Sequence, residues 1–192
     1  CASQTAAWRQ QKGWVDLVNQ SFELANTDKL DSAVTLAKRS LQLSKNAPYG
    51  YMVLAQSAAK HNQSKEAIDY YKQAIAAAKD TSQADARRQI QLTLGNYASD
   101  LAEAAPAAEK AALLAEAKAA FDALAKDPGT KFADAARNGQ AKLAAARGDT
   151  AAIRGSYADQ LANPSAFSYN SLMNAAVTAA RTDQNKDAIK LF

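Results

Sequence analysis

Lys29-Leu30-Asp31-Ser32-Ala33-Val34 is answered by Ser64-Lys65-Glu66-Ala67-Ile68, with Ala67 falling 34 residues after Ala33. The same offset pairs Ser21 with Ala55, Leu24 with Ala58, Ala37 with Tyr71 and Leu41 with Ile75. A fixed period of that length marks a stacked helical-pair repeat. One helical hairpin of that size cannot bury its apolar face alone, so copies must stack. Fold class and function class are decided together, because the surfaces of such arrays serve mainly to bind other molecules.

The second copy shows the pattern best. Tyr51, Leu54, Ala55 and Ala58 fall on one helix, and Ala67, Tyr71, Ala74 and Ile75 on the next. Spacings of three and four give each helix an apolar stripe. The turn between them, Lys60-His61-Asn62-Gln63-Ser64, is polar and short, as an antiparallel helix pair requires. This pattern resembles the tetratricopeptide repeat, in which small residues let paired helices approach and a larger side chain fills the gap. The resemblance implies an all-α, right-handed superhelical solenoid of about five repeats with a concave binding face. The repeats are expected at 14–47, 48–81, 82–128, 129–164 and 165–192, after an N-terminal segment 1–13.

The third copy departs from the period. Leu94-Gly95 resembles the family's Leu-Gly pair, and Ala117 to Leu124 reads as the second helix, stopping at Asp127-Pro128-Gly129. Ten extra residues intervene around Ala104-Ala105-Pro106. Proline removes a helical hydrogen bond and clashes with the preceding turn, so a corner is expected there. The fourth copy has Ala141 and Ala144, the turn Arg147-Gly148-Asp149, then Ile153 and Tyr157, closing at Asn163-Pro164. The fifth has Leu172, Ala176 and Ala179, the turn Thr182-Asp183-Gln184-Asn185, then Ala188 and Phe192. Equivalent positions step from Ala117 to Ile153 to Ala188, by 36 and then 35. Leu191-Phe192 is not the polar cap that normally ends a solenoid, so the expectation is that the array continues or that its end is disordered. A non-repeating alanine-rich bundle is the competing fold.

Charges are interspersed, 23 basic against 19 acidic for a net +4, with no basic run longer than Arg87-Arg88. Nucleic-acid binding needs Lys and Arg clustered with stacking aromatics, and a repeat protein reading one base per helix pair is disfavoured for that reason. No stretch approaches the ~20 apolar residues of a membrane span.

Chemistry is sparse. His61 is the only histidine and Cys1 the only cysteine, so no metal site or catalytic triad of ordinary composition can be assembled. No cofactor, metal or small-molecule substrate is expected, and the chain does not read as an enzyme. Asp28, Asp31, Asp183 and Asp187 flank proposed helix starts, where carboxylates cap free amides and meet the helix dipole. Trp8 and Trp14 are expected to pack at the head of the array.

Projecting the family's first-helix positions onto this chain places the groove on Val18, Phe22, Tyr49, Met52, Gln56, Asn96, Asn138, Lys142, Asn170 and Asn174. It would grade from apolar-aromatic to amide-rich, and asparagine amides suit extended peptide because each both donates and accepts. Val18 and Phe22 stand where chaperone adaptors carry clamp residues, so a chaperone tail is not the implied ligand.

Cys1-Ala2-Ser3-Gln4 resembles the start of a mature bacterial lipoprotein, a family in which a signal peptide is cleaved before a cysteine that is then acylated, palmitate being a typical chain. Ala2 in place of Asp implies the outer membrane by enterobacterial sorting. The resulting expectation is a periplasm-facing lipoprotein adaptor, held in the membrane through lipidated Cys1, whose partners are proteins of an envelope assembly or secretion machine. The alternative is a cytoplasmic regulatory module attached to a partner domain beyond residue 192.

Overall fold

The computed structural model describes residues 2–126 and 131–192, with side chains from Gly13 onward except at residue 131. Cys1 and the Asp127-Pro128-Gly129 stop lie outside the described residues, as does the Trp8 side chain. Among the described residues there is no strand. The α-helices are α1 (Ala2–Asn26), α2 (Leu30–Leu43), α3 (Pro48–Lys60), α4 (Ser64–Ala77), α5 (Ala84–Ala104), α6 (Ala107–Ala125), α7 (Lys131–Ala146), α8 (Thr150–Ser156), α9 (Ala158–Ala162), α10 (Tyr169–Arg181) and α11 (Asn185–Leu191). The chain divides into two compact units, Cys1–Ile90 and Gln91–Phe192.

In the first unit α1 packs on α2, α2 on α3 and α3 on α4. Four of the five pairs set by the 34-residue offset match in burial, the exception being Leu24, half-buried where Ala58 is buried. Ala33 and Ala67 are both fully buried, as are Ser21 and Ala55, while Leu41 and Ile75 are both half-buried. Ala25, Ala33, Ala37, Val53 and Leu54 form one core cluster, with Phe22, Tyr51 and Tyr70 packed against it. Gly50 lets α3 approach α2, because a Cβ there would stand 2.7 Å from Leu41 Cγ. Buried serines return their hydroxyls to their own helices, Ser21 to Val18 O and Ser40 to Ala37 O, each at 2.7 Å.

In the second unit Ala98, Ala117, Phe121, Leu124, Phe132, Ala136 and Leu143 form one cluster across α5, α6 and α7. Phe121 is a wedge. A Cβ on Gly95 would lie 2.6 Å from its ring, and one on Gly139 2.5 Å from it. Both glycines are required by that close approach. The corner at Pro106 is present, since Pro106 stands at the N-cap of α6 with extended backbone. A second cluster joins Ala144, Ile153, Tyr157, Ala175, Ala176, Ala179, Ala188 and Leu191. The second helix of the fourth pair, read as continuous from sequence, is split at Tyr157 into α8 and α9.

The repeat is also written in the backbone. Asp28, Asn62, Gly148 and Asp183 have φ of 58°, 60°, 68° and 59°, and each lies five residues before Ala33, Ala67, Ile153 or Ala188. The residue after each donates to the carbonyl five positions back: Lys29 to Leu24, Gln63 to Ala58, Asp149 to Ala144 and Gln184 to Ala179. This is the Schellman closure of a helix, for which the left-handed residue is normally glycine or asparagine.

Two of the expected caps are therefore corrected. Asp28 and Asp183 close α1 and α10 rather than capping the next helices, whose N-cap residues are Lys29 and Gln184, neither making a side-chain cap hydrogen bond. Asp28 pairs with Lys60 across the turn. Asp31 does sit in the first turn of α2. Asp187 sits in the first turn of α11, but the residue is only 6 % exposed and its carboxylate accepts from Arg154 Nε at 2.9 Å and Tyr157 Oη at 3.3 Å. The carboxylate that does cap is Asp149, accepting from Ala152 N at 2.9 Å.

Candidate functional site

In the first unit the expected groove residues lie on α1 and α3. Val18 is a correction. It is only 4 % exposed, because Val18, Ser21 and Ala25 share one helical stripe and that stripe is the packing face. Phe22 is half-buried against the core cluster. Tyr49 stands edge-on to Trp14 with ring centroids 6.3 Å apart, which gives Trp14 the packing role expected of it. Met52 and Gln56 are half-buried, and Gln56 Nε2 reaches Asn26 Oδ1 at 3.5 Å. Lys60 adds an ammonium beside them, donating to Ala25 O at 2.8 Å.

A separate hollow of about 500 Å³ opens between α2, α3 and α4, lined by Asp31, Lys38, His61, Glu66 and Tyr70 among others. Burial, reinforced by the hydrogen bond and charge of Glu66, pushes the Tyr70 phenol above its ordinary pKa. His61 caps α3, its Nδ1 3.0 Å from Ser57 O. Among the described residues no group of three or more His, Cys, Asp or Glu is arranged to hold a metal ion.

In the second unit the expected residues separate into two groups. Lys142 is exposed and ion-paired with Glu103 at 3.0 Å and Asp100 at 3.3 Å. The hydrogen bond to Glu103 is the main reason its ammonium pKa is raised. Asn96 is exposed on α5, and Asn170 is exposed one turn before Asn174 on α10. Asn138 of α7 and Asn174 of α10, by contrast, line one notch together with Asp134, Arg137, Gln160 and Ser171. Asp134 Oδ1 accepts from Arg137 Nη1 at 2.7 Å and Ser171 Oγ at 2.9 Å, and the guanidinium lies 5.6 Å from the Phe167 ring centroid. The packing of α7 against α10 brings the two asparagines together.

The sequence reading missed Asp134, Arg137 and Gln160. Asp134 and Arg137 lie three apart with Asn138 on the same turn of helix, a polar face that could have been marked from sequence. Gln160 carries no such signal, since its position follows from the break at Tyr157. A further polar contact sits elsewhere on α6 and α7: burial would raise the Asp122 carboxyl, but hydrogen bonds from Lys118 and Gln140 outweigh it and hold it below the usual carboxylate range.

No protein-family model matches the chain, and no curated protein matches it closely enough to count as a relative. Solved structures do match. YrrB, described as a TPR protein with an unusual peptide-binding site, aligns with a TM-score of 0.57 at 18 % identity, covering 97 % of this chain and 87 % of its own. TTC0263, a thermophilic TPR protein of Thermus thermophilus, aligns with a TM-score of 0.54 at 15 % identity, covering 93 % and 87 %. BtubC (BKLC) from P. vanneervenii aligns at 0.51 and 13 %, covering 97 % and 88 %. At such identities the likeness shows the fold: an all-α solenoid of helix pairs of the tetratricopeptide type.

Proposed function

We propose that this chain is a non-catalytic adaptor that holds extended peptide segments of partner proteins against the first helices of its pairs. The observation that carries the reading is the shared notch of Asn138 and Asn174, two amides from different helix pairs opening on one polar depression. Both are exposed, and primary amides complement the alternating N–H and C=O groups of an extended strand. The half-buried Tyr49, Met52 and Gln56 offer a more apolar counterpart in the first unit. The likeness to YrrB, whose own description includes a peptide-binding site, supports the reading.

Capture of peptides from a displayed library, with Tyr49→Ala, Met52→Ala and Asn174→Ala each compared with Lys65→Glu on α4, is the test. The first three weaken capture with little change in thermal unfolding. Equal loss from Lys65→Glu refutes the choice of face.

The finer proposal is an outer-membrane lipoprotein facing the periplasm and serving an envelope assembly or secretion machine. Its support is the resemblance of Cys1-Ala2-Ser3-Gln4 to a mature lipoprotein start. Among the described residues no helix is long and apolar enough to cross a membrane, so attachment would rest on acyl chains. One chain binds only reversibly, whereas several make attachment lasting. Mass spectrometry of the N-terminal peptide from native membranes decides it: acylated Cys1 is expected, and an unmodified Cys1 favours the cytoplasmic regulatory module instead.

A further inference from the structure

Gln160 is 3 % exposed, yet its Oε1 has no hydrogen-bond partner while the residue lines the notch between Asn138 and Asn174. A buried amide oxygen without a donor is costly, and its neighbours do not meet the need. Arg137 directs Nη1 to Asp134 and Ser171 Oγ donates to the same carboxylate, and no other N–H or O–H of the protein reaches the Gln160 oxygen. The notch is shallow, with about 10 Å³ of space for a water-sized group, enough to seat one polar atom while the rest of its group stays at the open mouth. Whatever enters does so by its tip.

From this geometry we infer that the notch is a side-chain subsite for a neutral carboxamide, that of a glutamine or asparagine in a bound peptide. The charge balance selects against ions. Asp134 and Arg137 neutralise each other, so a lysine ammonium would enter beside a guanidinium with no free counter-charge, and a carboxylate would meet the Gln160 oxygen and Asp134. A carboxamide offers both a donor and an acceptor, so it satisfies the Gln160 amide in either orientation of that group. Its remaining capacity matches the amides of Asn138 and Asn174 at the mouth. An apolar tip would leave the Gln160 oxygen unsatisfied and displace the water that could otherwise serve it. The subsite rests on the peptide-binding reading above but makes a narrower claim: it adds sequence preference to a surface whose other amides read only backbone.

The test is titration of the full chain, followed by ¹⁵N–¹H spectra, with N-acetylglutamine N-methylamide and with its methionine and lysine counterparts. The glutamine compound is expected to give saturable shifts of the Gln160, Asn138 and Asn174 side-chain amides. The methionine compound should bind roughly ten-fold more weakly, the scale of one lost buried hydrogen bond. Gln160→Met, similar in volume but lacking the amide, should abolish the preference in a protein that still melts cooperatively. Should that variant not fold, Asn174→Ala at an exposed position decides by the same ratio. Equal response to glutamine and methionine, tighter binding of lysine, a preference that survives both substitutions, or no saturable shift at all overturns the subsite and leaves a notch that holds only water. Library peptides captured without enrichment in glutamine or asparagine would reject the subsite while sparing the adaptor reading. Saturable carboxamide binding with no peptide captured would reject the adaptor reading alone.

Discussion

The two units are made from the same hairpin and hold it closed by different means. In the first unit, the helices meet over residues that are nearly absent as side chains: Ala33, Ala37, Ala55, Ala67 and Ala74 are all at 0 % exposure. In the second, alanines are buried as completely, at Ala98, Ala117, Ala136, Ala176 and Ala179, and bulk is inserted beside them and then accommodated. Phe121 and Tyr157 are each 1 % exposed, the first wedged against Gly95 and Gly139 and the second bonded to a buried carboxylate at Asp187. Small residues fix helix approach position by position, so they must recur at the same offset. A wedge needs only space opposite it, and that space is supplied by glycines 26 and 18 residues away on either side of Phe121, spacings unrelated to the repeat. The regular unit is legible as a period; in the irregular one the turns and the Pro106 corner are legible too, but the seat of Phe121 shows only in three dimensions. Charge divides the same way, with the basic excess of the sequence falling before Gln91 and the remainder balanced.

The comparison breaks most sharply at Phe121. Phe121→Ala removes a fully buried ring and should cost about 3–5 kcal/mol, read as a shift of the denaturation midpoint. If Val53→Ala, its buried counterpart in the small-residue core, costs as much, the two units are not held differently.

The next largest effect is a pH dependence centred on Tyr157 in the second unit. Burial, with the charge and hydrogen bond of Asp187 adding to it, pushes the Tyr157 phenol up to about 12 from 10.0. Below pH 10 both folded and unfolded chains keep this proton and the stabilisation is fully present. Between about 10 and 12 the unfolded chain loses the proton while the folded chain retains it, so stability falls by about 2 kcal/mol as pH rises through that window. Tyr157→Phe should be less stable than wild type at pH 8, having lost the bond to Asp187, and should show a shallower decline above pH 10. Parallel decline of the two proteins would remove Tyr157 from the account.

Overpacking gives intermediate effects and tests each unit by its own logic. Ala67→Leu in the first unit and Gly139→Ala in the second should each cost about 1–3 kcal/mol. Gly155→Ala is the control, since a Cβ there meets nothing within 4 Å; it should be neutral or gain up to about 1 kcal/mol of helix propensity. Loss at Gly155 equal to that at Gly139 would mean that steric approach to Phe121 is not what those glycines serve.

These effects also show why the chain was legible in part. Ala67 and Ala55 were readable because the demand on them is local and repeats: a helix crossing at a fixed point excludes a side chain. Gly95 was readable only through the likeness of Leu94-Gly95 to a family pair, since what it clears is the Phe121 ring. The Pro106 corner was readable from proline's missing amide alone. Gly139 was not, because its reason is a ring on another helix. The groove positions fared similarly. Tyr49, Met52, Asn138 and Asn174 remain accessible, whereas Val18 is buried because projection from a family pattern places a residue on a helix without fixing that helix's rotation. Gln160 had no sequence signal, since its surroundings depend on where α9 begins. Asp187 was read as a helix-start carboxylate because first-turn acids usually are; only the fold places Arg154 and Tyr157, 33 and 30 residues earlier, against it.

The smallest effects lie at the turns, where the two units should converge. Asn62 and Gly148 occupy equivalent left-handed positions, with φ of 60° and 68°, but the first turn uses an L-residue and the second a glycine. A Cβ on Gly148 would meet nothing within 4 Å, so Gly148→Ala isolates the backbone term and should cost about 1 kcal/mol. Gly148→Asn should cost less, because asparagine tolerates this region through its short polar side chain. Asn62→Gly should be near neutral, the relief of the left-handed penalty being offset by the greater freedom of glycine in the unfolded chain. Asn62→Ala should resemble Gly148→Ala. Chemical denaturation of the four variants, each referred to wild type, sets these values side by side. A silent Gly148→Ala, or an Asn62→Ala that costs several times more than its counterpart, would show that the two turns are alike in φ alone and that the repeat does not extend to the energetics of its closures.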